Sequence, residues 1–258
     1  MKAWHMSGAG NDFVVLDARG KQLDLQTMAI TLCTQTGADG FLAVDASQIA
    51  DFKLHFYNAD GLRGEMCGNG ARCVCKFAYD HGIAGETMTV ETDAGLVYGW
   101  RLGENQYRIR LNNPGVLDLE RLPGTAYVEL GDPGVPHSVT LCPDLDWESK
   151  DRMKADFLAI RHNPAFPKGV NVNFYRSLTD TCVRILTFER GVEDYTLACG
   201  TGSASVAAVL WLQGKLPGGR LTVENPGGTL VVTVEGDKGQ IQALYLEGPA
   251  EVLDEREI

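Results

Sequence analysis

Two short glycine-rich segments each place a cysteine directly before an apolar run. The first reads Cys67-Gly68-Asn69-Gly70 and the second Cys199-Gly200-Thr201-Gly202. A cysteine at the start of a helix faces unpaired backbone N–H groups at the positive end of the helix dipole, which favours the thiolate. The same N–H groups can hold a carboxylate, and glycine permits its close approach. One such turn is weak evidence, because a buried cysteine is usually only a small hydrophobic residue.

The two segments belong to an internal duplication. In each copy a phenylalanine, Phe56 or Phe188, lies eleven residues before the cysteine, and a polar residue, Asn58 or Arg190, lies nine before it. A glycine follows the apolar run fifteen residues past each cysteine, and a Thr-Val-Glu segment follows 22 or 23 residues past it. Self-similarity of this kind predicts two similar domains.

A chain of 258 residues is long enough for two ordinary domains. We place the break at residues 112–115, so that residues 1–113, completed by 247–258, form the N-terminal domain and 114–246 the C-terminal one. The run 203–212 is apolar on nearly every side, which indicates a helix that strands must wrap. We predict an α+β fold of two pseudo-symmetric domains, each a mixed or antiparallel sheet around a central helix, with the active site in the cleft between them.

Local patterns predict further elements. Residues 25–36 form an amphipathic helix that Gly37 ends. A charged helix is predicted over 146–162, and 4–17 reads as two strands joined by a glycine-rich turn. The buried-looking strand 182–188 delivers Glu189 and Arg190.

Composition restricts the class of protein. The net charge of −11, without a basic run, argues against nucleic acid or anionic membrane as a partner. No signal peptide or spanning segment is evident, so we expect a cytoplasmic location. Seven cysteines, an odd number, indicate reduced thiols. Their spacing offers only a weak zinc or iron–sulfur pattern, and we expect no metal.

If the two halves pack face to face, both helix starts point into one cleft. A substrate carboxylate would then receive N–H groups from Gly68, Asn69, Gly200 and Thr201. One thiolate could remove an α-proton while the other thiol returns a proton to the opposite face, which is stereoinversion. No P-loop or dinucleotide motif is present, and no phosphate cradle accompanies a lysine. These residues therefore favour a two-base mechanism without a cofactor.

The chain resembles the diaminopimelate epimerases, which belong to a superfamily with proline racemases and phenazine-biosynthesis isomerases. The resemblance runs nearly from end to end. It rests on the motifs 8–13, 58–61, 67–73, 136–137, 166–174, 189–191 and 198–202.

The resemblance implies roles for individual residues. Cys67 and Cys199 match the acid/base pair, and His137 and Glu189 match residues that assist near the thiols. The polar residues that match substrate-holding positions are Asn11, Asn58, Asn171, Glu189 and Arg190. The pairs Gly68-Asn69 and Gly200-Thr201 match the backbone anion cradle. The resemblance also implies a homodimer whose partner is a small-molecule substrate, an amino acid.

Four positions depart from the family pattern: Ser7, Gly40, Val135 and Tyr195. They leave open which amino acid fills the distal half of the pocket. The leading hypothesis is interconversion of LL- and meso-diaminopimelate in lysine and cell-wall biosynthesis. The alternatives are a racemase of another amino acid, such as histidine, and a thiol redox protein that uses the two cysteines as a switchable pair.

Overall fold

The computed structural model describes residues 1–64, 67–132, 134–237 and 239–258. The chain forms two compact units: unit 1 comprises Met1–Arg110 with Glu247–Ile258, and unit 2 comprises Leu111–Leu246. Strands dominate both, and the predicted α+β class is confirmed. In the described ranges no helix is long and apolar enough to cross a membrane.

The elements follow one another along the chain in two similar series. The first series is β1 (Lys2–Gly8), β2 (Asn11–Asp17), α1 (Leu25–Thr36), β3 (Gly40–Asp45), β4 (Phe52–Asn58), β5 (Arg63–Gly64), α2 (Gly68–Asp80), β6 (Thr87–Thr92), β7 (Gly95–Arg101) and β8 (Gln106–Leu111). The second is β9 (Pro114–Leu122), β10 (Thr125–Gly131), β11 (Gly134–Leu141), a 3-10 helix (Lys150–Met153), α3 (Lys154–Arg161), β12 (Asn171–Thr179), β13 (Cys182–Glu189), β14 (Asp194–Thr196), α4 (Gly200–Leu212), β15 (Arg220–Asn225), β16 (Gly228–Asp237), β17 (Gln240–Pro249) and β18 (Glu251–Glu257).

In unit 1 the strands form a mixed sheet that contacts α2. Strand β1 pairs antiparallel with both β18 and β2, β2 runs parallel to β3, and β3 pairs antiparallel with β4. Strand β4 runs parallel to β6, and β6, β7 and β8 continue antiparallel. Helix α2 contacts β1, β2, β3 and β7 and is buried from Gly68 to Ala78.

Unit 2 repeats this topology. Strand β10 pairs antiparallel with both β9 and β11, β11 runs parallel to β12, and β12 pairs antiparallel with β13. Strand β13 runs parallel to β15, which pairs antiparallel with β16. Helix α4 contacts β10, β11, β12, β15 and β16. The predicted central helix is therefore present in each unit, and β1–β7 correspond to β10–β16.

The strand pairing corrects the register of the duplication by one residue. Lys53 lies opposite Glu91 and forms an ion pair of 2.7 Å, and Arg184 lies opposite Glu224 with an ion pair of 2.9 Å. Aligning these pairs sets Asn58 of β4 against Glu189 of β13. Counting back from the cysteines instead aligned Asn58 with Arg190, because the loop between this position and the cysteine is one residue longer in the second copy.

The prediction of a continuous helix over 146–162 is wrong. The chain forms a turn near Asp146, then the 3-10 helix and the short α3. The Asp146 carboxylate accepts hydrogen bonds from Glu148 N at 3.3 Å and from Ser149 Oγ at 3.2 Å. Such local bonds compete with helix formation. The indole Nε1 of Trp147 donates to Ile185 O at 2.9 Å, which ties this turn to β13.

Candidate active site

In unit 1, Cys67 is the N-cap residue of α2, with extended backbone angles (φ −128°, ψ 124°). Its carbonyl accepts the first helical bond from Ala71 N at 2.8 Å. The thiol is half-buried, whereas Gly68 and Asn69 are buried. The first turn of a helix presents N–H groups that have no partner inside the helix, so Cys67, Gly68 and Asn69 lie where an anion is favoured.

A tight hairpin brings Asn11 to this helix start. Ala9 and Gly10, between β1 and β2, both have positive φ (59° and 86°), as a two-residue type I′ turn requires. A Cβ atom on Gly8 would lie 2.8 Å from Asn69 O, so the hairpin passes directly against α2. The Asp39 carboxylate fixes the start of β2 by accepting from Asp12 N at 3.0 Å and Asn11 Nδ2 at 3.2 Å.

A chain of hydrogen bonds links Asn11 to a buried arginine behind Cys67. Asn69 Nδ2 donates to Asn11 Oδ1. Asn69 Oδ1 in turn accepts from Arg72 Nη2 at 3.0 Å. Arg72 is fully buried and also donates to Gly68 O and Pro249 O, each at 3.3 Å. Burial lowers the pKa of the Arg72 guanidinium, although nearby thiols oppose this effect. Arg72 was not predicted as a site residue, although the sequence places it one turn after the cysteine cap.

Asn58 occupies a different setting. It is the last residue of β4, and its side chain is exposed. Its backbone N donates to Leu62 O at 2.8 Å, and its carbonyl accepts from Gly61 N at 2.9 Å, which closes a tight loop. The structure therefore joins Asn11 to Asn69 by a hydrogen bond and places Asn58 at the exposed end of β4.

In unit 2, Cys199 is the N-cap residue of α4 and is 8% exposed. Its Sγ accepts a hydrogen bond from Gly202 N at 3.3 Å and lies 3.5 Å from Thr201 Oγ1. Hydrogen bonds to sulfur favour the charged form of a thiol. Gly200 is buried and Thr201 half-buried at the same helix start.

Asn171 positions the Glu189-Arg190 corner. It is 5% exposed, its Oδ1 accepts from Arg190 N at 2.8 Å, and its Nδ2 donates to Pro136 O at 3.1 Å. The Arg190 side chain is exposed, and its Nη1 donates to Lys168 O at 2.7 Å. Glu189 ends β13 in a half-buried position. Asn171 therefore holds the backbone from which both charged side chains extend.

His137 lies in β11 and is fully buried. Burial, and secondarily the charge of Arg190, lowers the pKa of His137 to about 3, so the imidazole is neutral at physiological pH. Its Nδ1 lies 3.1 Å from Nδ2 of Asn173, a second residue that the sequence analysis did not assign. Asn173 follows Asn171 by two residues and therefore faces the same side of β12, which was the available signal.

Two of the departures from the family pattern have structural explanations. A Cβ on Gly40 would lie 2.9 Å from both Phe56 Cε2 and Tyr57 O, so this packing admits only glycine. The Tyr195 ring meets Phe157 and Phe188 edge-on, with ring centroids 5.2 and 5.5 Å apart, and its hydroxyl donates to Lys150 O at 2.9 Å. Tyr195 thus belongs to the core of unit 2. Val135 is 42% exposed, and nothing in the structure explains this departure.

Solved structures share this fold across the whole chain. A phenazine biosynthesis protein of the PhzF family from Bacillus anthracis matches with a TM-score of 0.77 at 17% identity, covering 100% of this chain and 98% of its own. A hydroxyproline epimerase from Agrobacterium vitis matches with a TM-score of 0.73 at 16% identity, covering 99% and 91%. At these identities the likeness shows that the fold is shared.

Sequence comparison makes the assignment narrower. The diaminopimelate epimerase family matches residues 3–108 and 131–253. The diaminopimelate epimerase of Chlorobaculum tepidum is 37% identical over 257 residues, covering 95% of this chain and 96% of its own. That of Flavobacterium psychrophilum is 33% identical over 264 residues, covering both chains completely. The chain belongs to the diaminopimelate epimerase family, and the resemblance drawn from its motifs is confirmed.

Proposed function

We propose that the protein interconverts LL- and meso-2,6-diaminopimelate by cofactor-independent proton transfer between the substrate α-carbon and the thiols of Cys67 and Cys199. The observation that carries the proposal is the cysteine at the N-cap of the buried central helix in each of two similar units. Family membership supplies the reaction class. The proposal requires both thiols to reach one carbon in the working enzyme.

The chemistry balances with one proton removed and one returned. A thiolate takes the α-proton from one face, the electron pair left on carbon delocalises into the carboxylate, and the second thiol protonates the opposite face. General acid–base help supplies roughly 10²–10⁴-fold. The remaining stabilisation comes from N–H donors aimed at the carboxylate, offered by the Gly68-Asn69 and Gly200-Thr201 turns. After one turnover the two sulfurs have exchanged protonation states.

The charged corner of unit 2 supports diaminopimelate as the substrate. Glu189 complements an ammonium group and Arg190 complements a carboxylate, and both extend from the backbone that Asn171 holds. A second amino-acid head group, such as diaminopimelate carries, presents both charges. Asn11 and Asn58 supply further polar contacts, and His137 and Glu189 assist near the thiols. The proposed reaction belongs to lysine and cell-wall biosynthesis. We propose that the enzyme is a cytoplasmic homodimer.

Proton exchange in heavy water tests the proposal. LL-diaminopimelate incubated with the enzyme should gain α-deuterium and yield the meso form, as followed by NMR. We expect Cys67→Ser and Cys199→Ser each to abolish net inversion, while Cys182→Ser, a half-buried thiol on β13, leaves the rate unchanged. If LL-diaminopimelate gains no deuterium but histidine does, the chain is a racemase of another amino acid.

The redox alternative predicts a different set of results. Two thiols that reach the same carbon could form a disulfide when the substrate is absent, which would inactivate an epimerase. We therefore expect activity to need a reductant and to return fully with it. Full epimerase activity in Cys199→Ser would refute the two-thiol mechanism. Disulfide exchange with a protein substrate, without α-deuterium incorporation, would favour a redox function instead.

A further inference from the structure

The layer of side chains beneath the two central helices differs between the units. The registers align His137 with Phe13, since they lie opposite Asn171 and Gly40 respectively. They also align Asn173 with Leu42, and Thr187 with Phe56. We call the three polar residues of unit 2 the polar triad and their three counterparts the apolar triad. The polar triad is His137, Asn173 and Thr187, and the apolar triad is Phe13, Leu42 and Phe56.

Each triad lies against the same glycine of its helix. A Cβ on Gly70 of α2 would meet Leu42 Cδ2 at 3.2 Å and Phe13 Cε1 at 3.6 Å. A Cβ on the corresponding Gly202 of α4 would meet Asn173 Oδ1 at 2.3 Å. Gly202 is also the residue whose backbone N–H donates a hydrogen bond to the Cys199 sulfur. The polar triad thus lies directly under the turn that carries the second cysteine.

Burial makes the polar triad costly. His137 and Asn173 are fully buried and Thr187 is 2% exposed. Polar groups in such a site lose their hydration and contribute to stability only when every group is hydrogen-bonded. The apolar triad fills the equivalent space with hydrocarbon. Packing therefore does not require polar residues at these positions, which points to a functional reason for them.

The hydrogen bonds of Asn173 fix its amide orientation. Nδ2 donates to Ser138 O at 2.8 Å, and a carbonyl oxygen can only accept. Oδ1 accepts from Thr187 Oγ1 at 2.9 Å, which holds the other end of the amide. Nδ2 also donates to Asn171 O at 3.2 Å. The group facing His137 Nδ1 at 3.1 Å is therefore an amide NH2, which can donate but cannot accept, so Nδ1 is the acceptor. In a neutral imidazole the single proton then resides on Nε2.

We propose that Asn173 is a positioning residue that holds His137 in the Nε2–H tautomer, so that His137 acts as a hydrogen-bond donor to an anionic substrate oxygen and not as a proton-accepting base. Within the described residues, the buried Nε2 has no hydrogen-bond partner. A buried donor without a partner is costly, and a carboxylate oxygen would satisfy it. The part played in the reaction rests on the function proposed above; the tautomer does not.

Nitrogen NMR tests the tautomer without any substrate. Protein labelled with ¹⁵N at its five histidines is recorded from pH 5 to pH 9, and the His137 signal is assigned by its loss in His137→Gln. We expect the neutral Nε2–H pattern throughout. A His137 signal that shows the Nδ1–H pattern, or that titrates near the ordinary histidine pKa of about 6.5, would overturn the proposal.

Three variants test the role of Asn173. Asn173→Asp replaces the donor with a carboxylate acceptor, so the proton should move to Nδ1 and the ring should become protonated near neutral pH. Thr187→Val removes only the donor to Oδ1 and leaves Nδ2 on the Ser138 and Asn171 carbonyls, so it should keep the Nε2–H tautomer. Asn225→Asp, at a buried asparagine of β15, is the matched control and should leave His137 unchanged. An unaltered tautomer in Asn173→Asp would refute the positioning role.

Kinetics then connects the tautomer to the reaction. Loss of one donor to a developing anion costs roughly 10²–10³-fold in kcat, so we expect about that loss in Asn173→Asp, with a much smaller change in KM. Asn173→Leu, which copies the apolar triad, should remain folded by circular dichroism and show the same kinetic loss. Unchanged kcat in both variants would remove His137 from the reaction. Failure of the wild type to exchange diaminopimelate protons would instead refute the proposed function, and the NMR result would stand.

Discussion

The two glycines beneath the cysteine turns allow a matched comparison within one chain. Neither Gly70 nor Gly202 has positive φ, so alanine fits the backbone at both. At Gly70 the new methyl would meet the Leu42 methyls at 3.2 and 3.4 Å, which can move by a few tenths of an ångström, and Phe13 Cε1 at 3.6 Å, an ordinary contact. At Gly202 it would overlap Asn173 Oδ1, at 2.3 Å, and that amide is hydrogen-bonded to four neighbours.

The magnitudes follow from these contacts. Alanine is favoured over glycine in a helix by up to about 1 kcal/mol, so Gly70→Ala should be neutral or stabilising by that amount. Overpacking costs about 1–3 kcal/mol, and a lost hydrogen bond to Asn173 about 1 kcal/mol more. After the helix gain, Gly202→Ala should destabilise by about 1–3 kcal/mol. The two variants should therefore differ by roughly 2 kcal/mol, or by several degrees in Tm.

Urea unfolding followed by tryptophan fluorescence measures both variants, because Trp4 and Trp100 report on unit 1 while Trp147 and Trp211 report on unit 2. The double variant Gly202→Ala/Asn173→Ala removes the overlapping atom, so its destabilisation should be less than the sum of the single effects. Equal midpoint shifts in Gly70→Ala and Gly202→Ala, or strict additivity in the double variant, would contradict the contact argument.

Three further predictions concern buried ionisable groups. Arg72→Met leaves three acceptors without their charged donor, so it should lower the free energy of unfolding by about 2–4 kcal/mol; a change below about 0.5 kcal/mol in urea unfolding would contradict this. Burial raises the pKa of Cys33 to about 11 and of Cys73 and Cys75 to about 12, and it also raises the pKa of the half-buried Cys142 and Cys182. Iodoacetamide at pH 8 should therefore label the two cap cysteines before the other five, and uniform labelling by mass spectrometry would refute the reasoning. Burial and the charge of Arg190 lower the pKa of His137 to about 3. Between pH 6.5 and 3 the unfolded chain therefore binds a proton at this histidine that the folded chain does not bind. The free energy of unfolding should fall as the pH drops through this range, by up to about 1.4 kcal/mol per pH unit. His137→Gln should remove that slope, and an unchanged difference between variant and wild type across this range would disprove it.

Elements set by local signals could be predicted from the sequence. Helix α1 spans Leu25–Thr36, and Gly37 ends it with φ 75°, as the pattern indicates. The side chain of Asp24 caps its start by accepting from Thr27 N at 3.1 Å, a signal that was present and not used. The helices that follow the two cysteines were also predicted, because an apolar run bounded by glycines identifies a buried helix whatever packs around it.

Elements set by distant pairing could not be predicted in the same way. Strand β9 is largely half-exposed, and β18 carries charges along most of its length, so neither shows a clear alternation. Strand β9 forms a hairpin with the next strand, β10, whereas β18 is a strand only because it pairs with β1. For β18 and β1 that partner lies at the opposite end of the chain, beyond any local pattern.

The residues of the candidate site also differ in whether the sequence could predict them. The cap cysteines, the glycine turns and the Glu189-Arg190 corner were visible as motifs. Arg72 and Asn173 were not assigned, because their roles depend on their hydrogen-bond partners in the buried interior. Arg72 donates to two backbone carbonyls and a side-chain amide, and Asn173 contacts an imidazole. A pattern of residue types does not show which polar group becomes buried.

The duplicated units therefore agree where each cysteine meets its helix and differ in the layer behind it. Arg72 in α2 corresponds to Ala204 in α4, and the apolar triad corresponds to the polar one. Under the proposed function, each thiol accepts the proton in one direction of the reaction, in these unequal surroundings. The equilibrium constant between LL- and meso-diaminopimelate belongs to the substrates, so the ratio of the two kcat/KM values is fixed. Substitutions in either layer can therefore raise or lower both kcat/KM values by the same factor, and can change how each divides between kcat and KM. A measured change in their ratio would indicate a faulty assay, not altered stereochemistry.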